Sequence, residues 1–468
     1  MPCSPLELLL AEGAADGTLV LGDDCPPIYA PGDAGPAAEG TVDLVVLAPS
    51  RSQRRDARWA RDAASTTAAR LSRTGIAYLV PGNSRRLRRA LVAAGLQHAA
   101  SLLNVPDVNR PRYLVPVGTV AERYALAGGI PASRPKRLLA TGLGARGRAS
   151  FGPTGAVHRR EAGVPLAAWL LGADTAGSVL VAPQQGGQGA ILYRFGDRPG
   201  PEAIAKVSPG ADDELRALGL VAPGARDAGV RTPLPVASGR LGSMPYAILS
   251  FLEGSRAADL VARGEIRPDE LQRRIADWLE RWHRACSSVR PLTADDLERF
   301  VLSPGARAAA DGPYLAFLEA LCERAAGRSC PCVPVHGDLT LANVLVDERG
   351  GLGVVDWEHA TEDGLPLTDL LYAGVDAVAA RRRYADRPAA FAACFELDGP
   401  PSPLEQLRRR LASALELDEV VQALCFHACW LHHAANEADR STGSSRGPFA
   451  TILDAIARTP ELFGVPRR

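Results

Sequence analysis

The chain has 468 residues, 46% of them apolar and 23% charged, with 53 acidic side chains against 53 basic ones. A single core rarely grows that large, so two domains or more are expected. The charge balance excludes a partner recognised by bulk charge, whether nucleic acid or an anionic membrane surface.

The N-terminus carries no basic segment followed by an apolar run, and no stretch reaches the roughly 20 apolar residues of a membrane helix. A soluble cytoplasmic protein is the expectation. Nine cysteines scattered over the chain suit reduced thiols better than a disulfide framework.

In chain order, residues 1–40 are rich in Gly, Pro, Ala and Asp and hold one strand at 18–22. The apolar run 42–47, stopped by Pro49, reads as a buried strand. A helix follows at 54–72, then a strand at 76–80 stopped by Pro81-Gly82. A helix at 84–94 closes on Gly95, and a strand stands at 113–117. This alternation predicts a small α/β domain over residues 1–150 with a largely parallel sheet. Residues 128–165 are dense in Gly, Pro, Arg and Ser and read as a linker.

From residue 178 the pattern changes. Strands at 179–182, 190–195 and 202–208, joined by Gly-rich turns, predict an antiparallel meander. A helix at 211–218 and a strand at 246–252 follow. Beyond Gly254 the reading is helical, clearest in the amphipathic run 268–286. Two short strands within 333–358 interrupt it, and helices resume from 366.

The strongest chemical signal lies in that interruption. Val335-His336-Gly337-Asp338 ends a strand on a polar loop, and Asn343 opens the apolar run Val344-Leu345-Val346. A turn at Gly350-Gly351 returns the chain, and a second strand delivers Asp356 in Asp356-Trp357-Glu358. The hairpin brings Asn343 and Asp356 together. An amide oxygen and a carboxylate are hard ligands suited to Mg²⁺, which takes a few protein oxygens together with substrate phosphates. Asp338 beside them is placed to accept a proton from an attacking hydroxyl, as phosphoryl transfer requires.

These residues resemble the catalytic loop of aminoglycoside phosphotransferases and their choline- and homoserine-kinase relatives, distant cousins of protein kinases. The likeness is specific over residues 330–372 and looser over 178–330. It implies an α+β bilobal kinase-like domain, with an N-lobe over 160–255 and a C-lobe over 256–468, preceded by the small α/β domain. It further implies Asp338 as catalytic base, Asn343 and Asp356 as Mg²⁺ ligands, and Asp369 as a structural aspartate. ATP is the expected phosphoryl donor, with GTP admitted, and the acceptor is a hydroxyl of an aminoglycoside, amino alcohol or sugar.

The same likeness directs attention to the third strand of the N-lobe, where kinases carry a phosphate-pairing lysine. Lys206 lies there, and it is one of two lysines among the 53 basic residues, the other being Lys136. In a chain that otherwise uses arginine, a retained lysine points to a place needing a compact ammonium. Glu214 on the following helix is its expected acidic partner, with Asp212 and Asp213 as alternatives. The turn at 184–189 would cover the phosphates through Gly187 and Gly189, and 250–253, with Ser250 and Leu252, would form the adenine-binding hinge. The rival reading is a pseudokinase-like nucleotide-binding scaffold acting on a protein partner through its N-terminal domain.

Three lesser motifs complete the reading. Gly142-Leu143-Gly144-Ala145-Arg146-Gly147 fits a dinucleotide fingerprint by letters but lacks an apolar helix after it, which favours linker. Cys425, His427, Cys429, His432 and His433 share one helix and read as packed cysteines and surface histidines rather than a zinc site. Residues 1–150 resemble the later half of a class I methyltransferase without its glycine-rich cofactor turn, which would make them a degenerate binding domain.

Overall fold

The structure, a computed structural model, describes residues 18–23, 41–80, 84–105, 113–125, 155–161, 179–181, 189–196, 200–241, 244–308, 312–395, 400–440 and 447–463. The chain forms two compact units, Met1–Asp212 with Pro235–Phe251, and Asp213–Leu234 with Leu252–Arg468.

The first unit is built on one sheet. Its strands are β1 (Thr18–Leu21), β2 (Val42–Leu47), β3 (Leu71–Leu79), β4 (Gln97–Val105), β5 (Tyr113–Pro116), β6 (Gly155–Arg159), β7 (Val179–Val181), β8 (Ala190–Phe195), β9 (Pro201–Val207), β10 (Pro235–Leu241) and β11 (Met244–Ser250). Their spatial order is β1-β2-β3-β6-β4-β5-β7-β8-β9-β11-β10. Helices α1 (Ala57–Arg70) and α2 (Arg85–Ala93) cover one face at the β1–β3 end, packing Ala60, Ala64, Leu87 and Leu91 against Val45, Leu47 and Leu79. The short α3 (Val120–Tyr124) packs Ala121 against Leu103, Tyr113 and Val115. A continuous core runs from Leu44, Ile76 and Tyr78 through Val157 to Leu192, Ala205 and Ile248.

Several expectations need correction here. Among the described residues of this unit, β1–β2 and β2–β3 pair in parallel; β6 lies antiparallel to β3, and β4, β5 and β7 continue antiparallel. The sheet is therefore mixed rather than largely parallel. The cause is β6, a five-residue strand in the stretch that reads as linker. Its inner residues Ala156 and Val157 are buried, although arginines surround them in the sequence. The meander is as expected, β7–β8 and β8–β9 both antiparallel, and β10 adds a hairpin to β11 that the sequence reading omitted.

The second unit is mainly helical. Helices α4 (Ala211–Leu220) and α5 (Ala222–Asp227) are followed by α6 (Ala257–Arg263), α7 (Pro268–Cys286), α8 (Ala294–Leu297), α9 (Ser303–Arg307) and α10 (Gly312–Ala325). After the last small strand come α11 (Thr368–Arg381), α12 (Arg387–Cys394), α13 (Pro403–Ala414), α14 (Glu419–Arg440) and α15 (Pro448–Ala457). Two small sheets lie among them: β12 (Ser255–Arg256) with β15 (Val344–Val346) and β16 (Leu352–Val354), and β13 (Ser288–Pro291) with β14 (Ser329–Val335) and β17 (Thr361–Gly364). The bounds of α7 match the sequence reading. Its apolar stripe buries Leu271, Ile275, Trp278, Leu279 and Trp282, each contributing on the order of 2 kcal/mol by removal from water. Among the described residues no helix is long and apolar enough to cross a membrane.

Candidate active site

The segment with the expected site residues starts where β14 ends. Gly337 has φ +79°, and a Cβ there would lie 2.5 Å from the His359 carbonyl oxygen, so only glycine fits. Asp369, in the first turn of α11, grips this corner: its carboxylate accepts from the His336 amide at 2.6 Å and the Gly337 amide at 3.1 Å. His336 is fully buried. Its Nε2 lies 3.0 Å from the Val355 carbonyl oxygen, and its Nδ1 accepts from the Asp338 amide at 3.3 Å. That pairing assigns the ring proton to Nε2. Gly337→Ala is expected to destabilise the protein by about 2 kcal/mol or more through combined strain and clash, measured by the denaturation midpoint.

Beyond Asp338 the loop is fixed by its own turns. The Thr340 amide donates to the Asp338 carbonyl oxygen at 2.8 Å, and the Asn343 amide to that of Thr340 at 3.0 Å. The Asn343 side-chain Nδ2 donates to the Asp338 carbonyl oxygen at 3.0 Å and to Asp338 Oδ2 at 3.3 Å. The amide group is thereby oriented, and its Oδ1 points away from Asp338. Strand β15 leads to a tight turn in which Asp347 Oδ1 accepts from the Arg349 and Gly351 amides. Strand β16 returns in register, Val344 opposite Val354, and the Val355 amide donates to the Asn343 carbonyl oxygen at 3.0 Å. Asp356 thus stands just past Asn343 at the open end of the hairpin, with φ +69°. A non-glycine residue in that region stores about 1–3 kcal/mol of strain, a common mark of a functional position. Trp357 anchors it, fully buried, with its indole N–H on the Val354 carbonyl oxygen at 2.9 Å and its ring 5.0 Å from that of His336.

Asp338 opens onto a cavity of about 280 Å³ walled by His359, Tyr372, His433, Asn436, Glu437 and Phe449. Tyr372 and His433 stack at 3.4 Å, and His433 and Phe449 at 5.5 Å. Glu437 Oε2 accepts from the Phe449 and Ala450 amides at 3.0 and 3.1 Å, which fixes the start of α15 to α14. Among the described residues no lysine or arginine lines this cavity. The carboxyl of Asp369, just behind, is pushed up to about 6 by burial, with the nearby Asp338 charge adding and the two backbone hydrogen bonds opposing.

The segment just described has a counterpart among known proteins. The model of the phosphotransferase enzyme family (APH) matches residues 182–434, more than half of the chain. The chain belongs to this family. It is therefore a phosphotransferase with the family's kinase-like α+β fold. Among solved structures it is similar to an aminoglycoside phosphotransferase from Streptomyces rimosus, at 17% identity over 54% of this chain and 89% of that one, TM-score 0.32. It is also similar to a spectinomycin phosphotransferase in complex with ADP and spectinomycin, at 11% identity over 61% and 93%, TM-score 0.36. A proposed fructosamine-3-kinase from Haemophilus somnus matches at 11% identity over 63% and 95%, TM-score 0.38. No curated protein matches. The similarity of residues 1–150 to a class I methyltransferase finds no support in these matches.

The remaining expected site residues of the phosphotransferase lie as follows. Lys206 is buried on β9, opposite Ile191 of β8 and Ala247 of β11. Gly189 has φ +138°, and a Cβ there would meet the Val207 carbonyl oxygen at 2.3 Å, so glycine is required where the turn closes on β9. Gly187 lies outside the described residues. Ser250 ends β11, paired with Ala203, and Leu252 follows it by two residues. Glu214 is buried on α4. The alternatives are engaged elsewhere, Asp212 with Arg240 at 3.4 Å and Asp213 with Arg216.

Two histidines expected at the surface of α14 are buried instead: His427, whose Nδ1 lies 2.8 Å from the Tyr314 hydroxyl, and His433 in the cavity wall. The sequence reading also missed Tyr372 and Phe449. The one available signal was the aromatic or histidine character of three residues on separate helices, which carries no spacing rule.

Proposed function

We propose that this phosphotransferase transfers the γ-phosphoryl group of ATP, or of GTP, to a hydroxyl of a small molecule such as an aminoglycoside, amino alcohol or sugar. The observation that carries this reading is Asp338, held by the Asn343 amide at the edge of an open cavity. In that position its carboxylate orients the acceptor hydroxyl and takes its proton as the O–P bond forms. The lining, with Asp338 and Glu437 and, among the described residues, no lysine or arginine, supports a neutral or amine-bearing acceptor over an anionic one.

Mg²⁺ suits the oxygen donors present, the oriented Oδ1 of Asn343 and the carboxylate of Asp356, which would hold it together with the nucleotide phosphates. When bound, it neutralises charge on those phosphates. Lys206 is the ammonium we assign to the same phosphates, with Glu214 as its acid; Gly187 and Gly189 cover them, and Ser250 and Leu252 take the nucleotide base. We further propose the cytoplasm as the site of action, and the kinase-like lobes at 160–255 and 256–468.

The test is turnover. The chain is incubated with Mg²⁺, ATP or GTP, and a panel of aminoglycosides, amino alcohols and sugars, and the acceptors are weighed by mass spectrometry. A gain of one phosphate that requires both Mg²⁺ and Asp338 supports the proposal. Absence of any phosphorylated acceptor and of nucleotide consumption with either nucleotide contradicts it.

A further inference from the structure

The wall of the acceptor cavity is held from behind by a charged group that does not line it. Arg387 opens α12 immediately after its N-cap Asp386, whose Oδ1 accepts from the Ala389 amide at 2.9 Å. Its guanidinium lies 4.9 Å from the centre of the Phe449 ring, 5.4 Å from that of Tyr384 and 5.9 Å from that of Tyr372. Its Nη2 donates to Asp376 Oδ1 at 2.6 Å. Asp376, on α11, is 1% exposed. Its other oxygen accepts from the Leu341 amide at 2.8 Å and the Tyr384 hydroxyl at 3.0 Å. Leu341 sits in the loop between Asp338 and Asn343.

A carboxylate so deeply buried is costly unless paired. Burial pushes the Asp376 carboxyl up, and the Arg387 charge is the first factor opposing it. One guanidinium therefore does two things: it keeps a carboxylate on the loop amide, and its charge lies over the rings of the wall, which an ammonium would serve less well.

We infer that Arg387, acting through Asp376, is a positioning residue that couples the Tyr372–Phe449 wall of the acceptor cavity to the loop carrying Asp338 and Asn343. The catalytic consequence rests on the proposed acceptor site; the coupling itself does not. Loss of the guanidinium releases loop and wall together. Its replacement by lysine holds the loop and loosens the wall.

Amide hydrogen exchange on the full chain tests this, comparing the natural protein with Arg387→Leu and Arg387→Lys. In Arg387→Leu, peptides over 339–345 and 447–457 exchange about tenfold faster or more, while α7 keeps its native rate. In Arg387→Lys only the 447–457 peptide is fast. A loop at native rate in Arg387→Leu, a loop equally fast in both variants, or acceleration shared by α7 overturns the coupling. Acceptor-free hydrolysis of Mg-ATP, measured alongside, falls about tenfold in Arg387→Leu and stays near native in Arg387→Lys. If the natural protein neither binds nor hydrolyses Mg-ATP or Mg-GTP, the phosphotransfer mechanism fails, and the exchange pattern still decides the coupling.

Discussion

Asp338→Asn is expected to lower kcat by about 10²- to 10⁴-fold while leaving nucleotide binding and the melting temperature near native. The substitution keeps shape and an acceptor oxygen for Asn343 Nδ2, which lies 3.3 Å from the Asp338 carboxylate. It removes the ability to take a proton. The loop does not depend on that carboxylate for its form, because the Asp338 backbone carbonyl receives both the Thr340 amide and Asn343 Nδ2. A pure chemical deficit is therefore predicted, visible in single-turnover phosphorylation of the acceptor. A kcat within a few-fold of native would assign the proton to another group.

Asp369→Leu is expected to cost about 3–5 kcal/mol of stability, the largest single-residue effect anticipated in the second unit. Its carboxylate is 2% exposed and receives the amides of His336 and Gly337, and leucine leaves both donors buried without a partner. Asp369→Asn retains one acceptor oxygen and costs less. The pair also separates a pH effect. The folded carboxyl is raised from 3.8 to about 6, so the protonated form is favoured by folding. Its contribution is fully present below the unfolded value and lost as pH rises through about 6. Natural protein should therefore gain about 2 kcal/mol relative to Asp369→Asn between pH 7 and pH 4. Urea midpoints of both proteins across that range measure it; a constant difference would show that the site holds its charge without penalty.

The loop and hairpin that carry the expected site residues were legible because their geometry is local. Asp338, Asn343 and Asp356 lie within nineteen residues on a loop and a hairpin whose apolar runs and glycine turn fix the register, and Asp369 follows in the first turn of α11. Lys206 stood out through the scarcity of lysine in an arginine-rich chain, and the structure buries it on β9. The cavity wall was not legible, because Tyr372, His433 and Phe449 come from three helices and meet only through packing. Nor was Asp376, an acid in the middle of an apolar helix, whose partners Leu341 and Arg387 lie 35 and 11 residues away. The sheet order failed for a related reason. Strand β6 is short, flanked by arginine and glycine, and is defined by pairing with β3 and β4 rather than by its own composition.

The central claim, nucleotide held through a metal at Asn343 and Asp356, is tested most directly by thermal shift. The natural protein and Asp356→Ala are melted with millimolar ATP or GTP, with and without Mg²⁺. A rise of several degrees that needs Mg²⁺ and disappears in Asp356→Ala is the predicted result, as expected when a ligand binds only the native state well above its Kd. An unchanged melting temperature of the natural protein with both nucleotides would contradict the account.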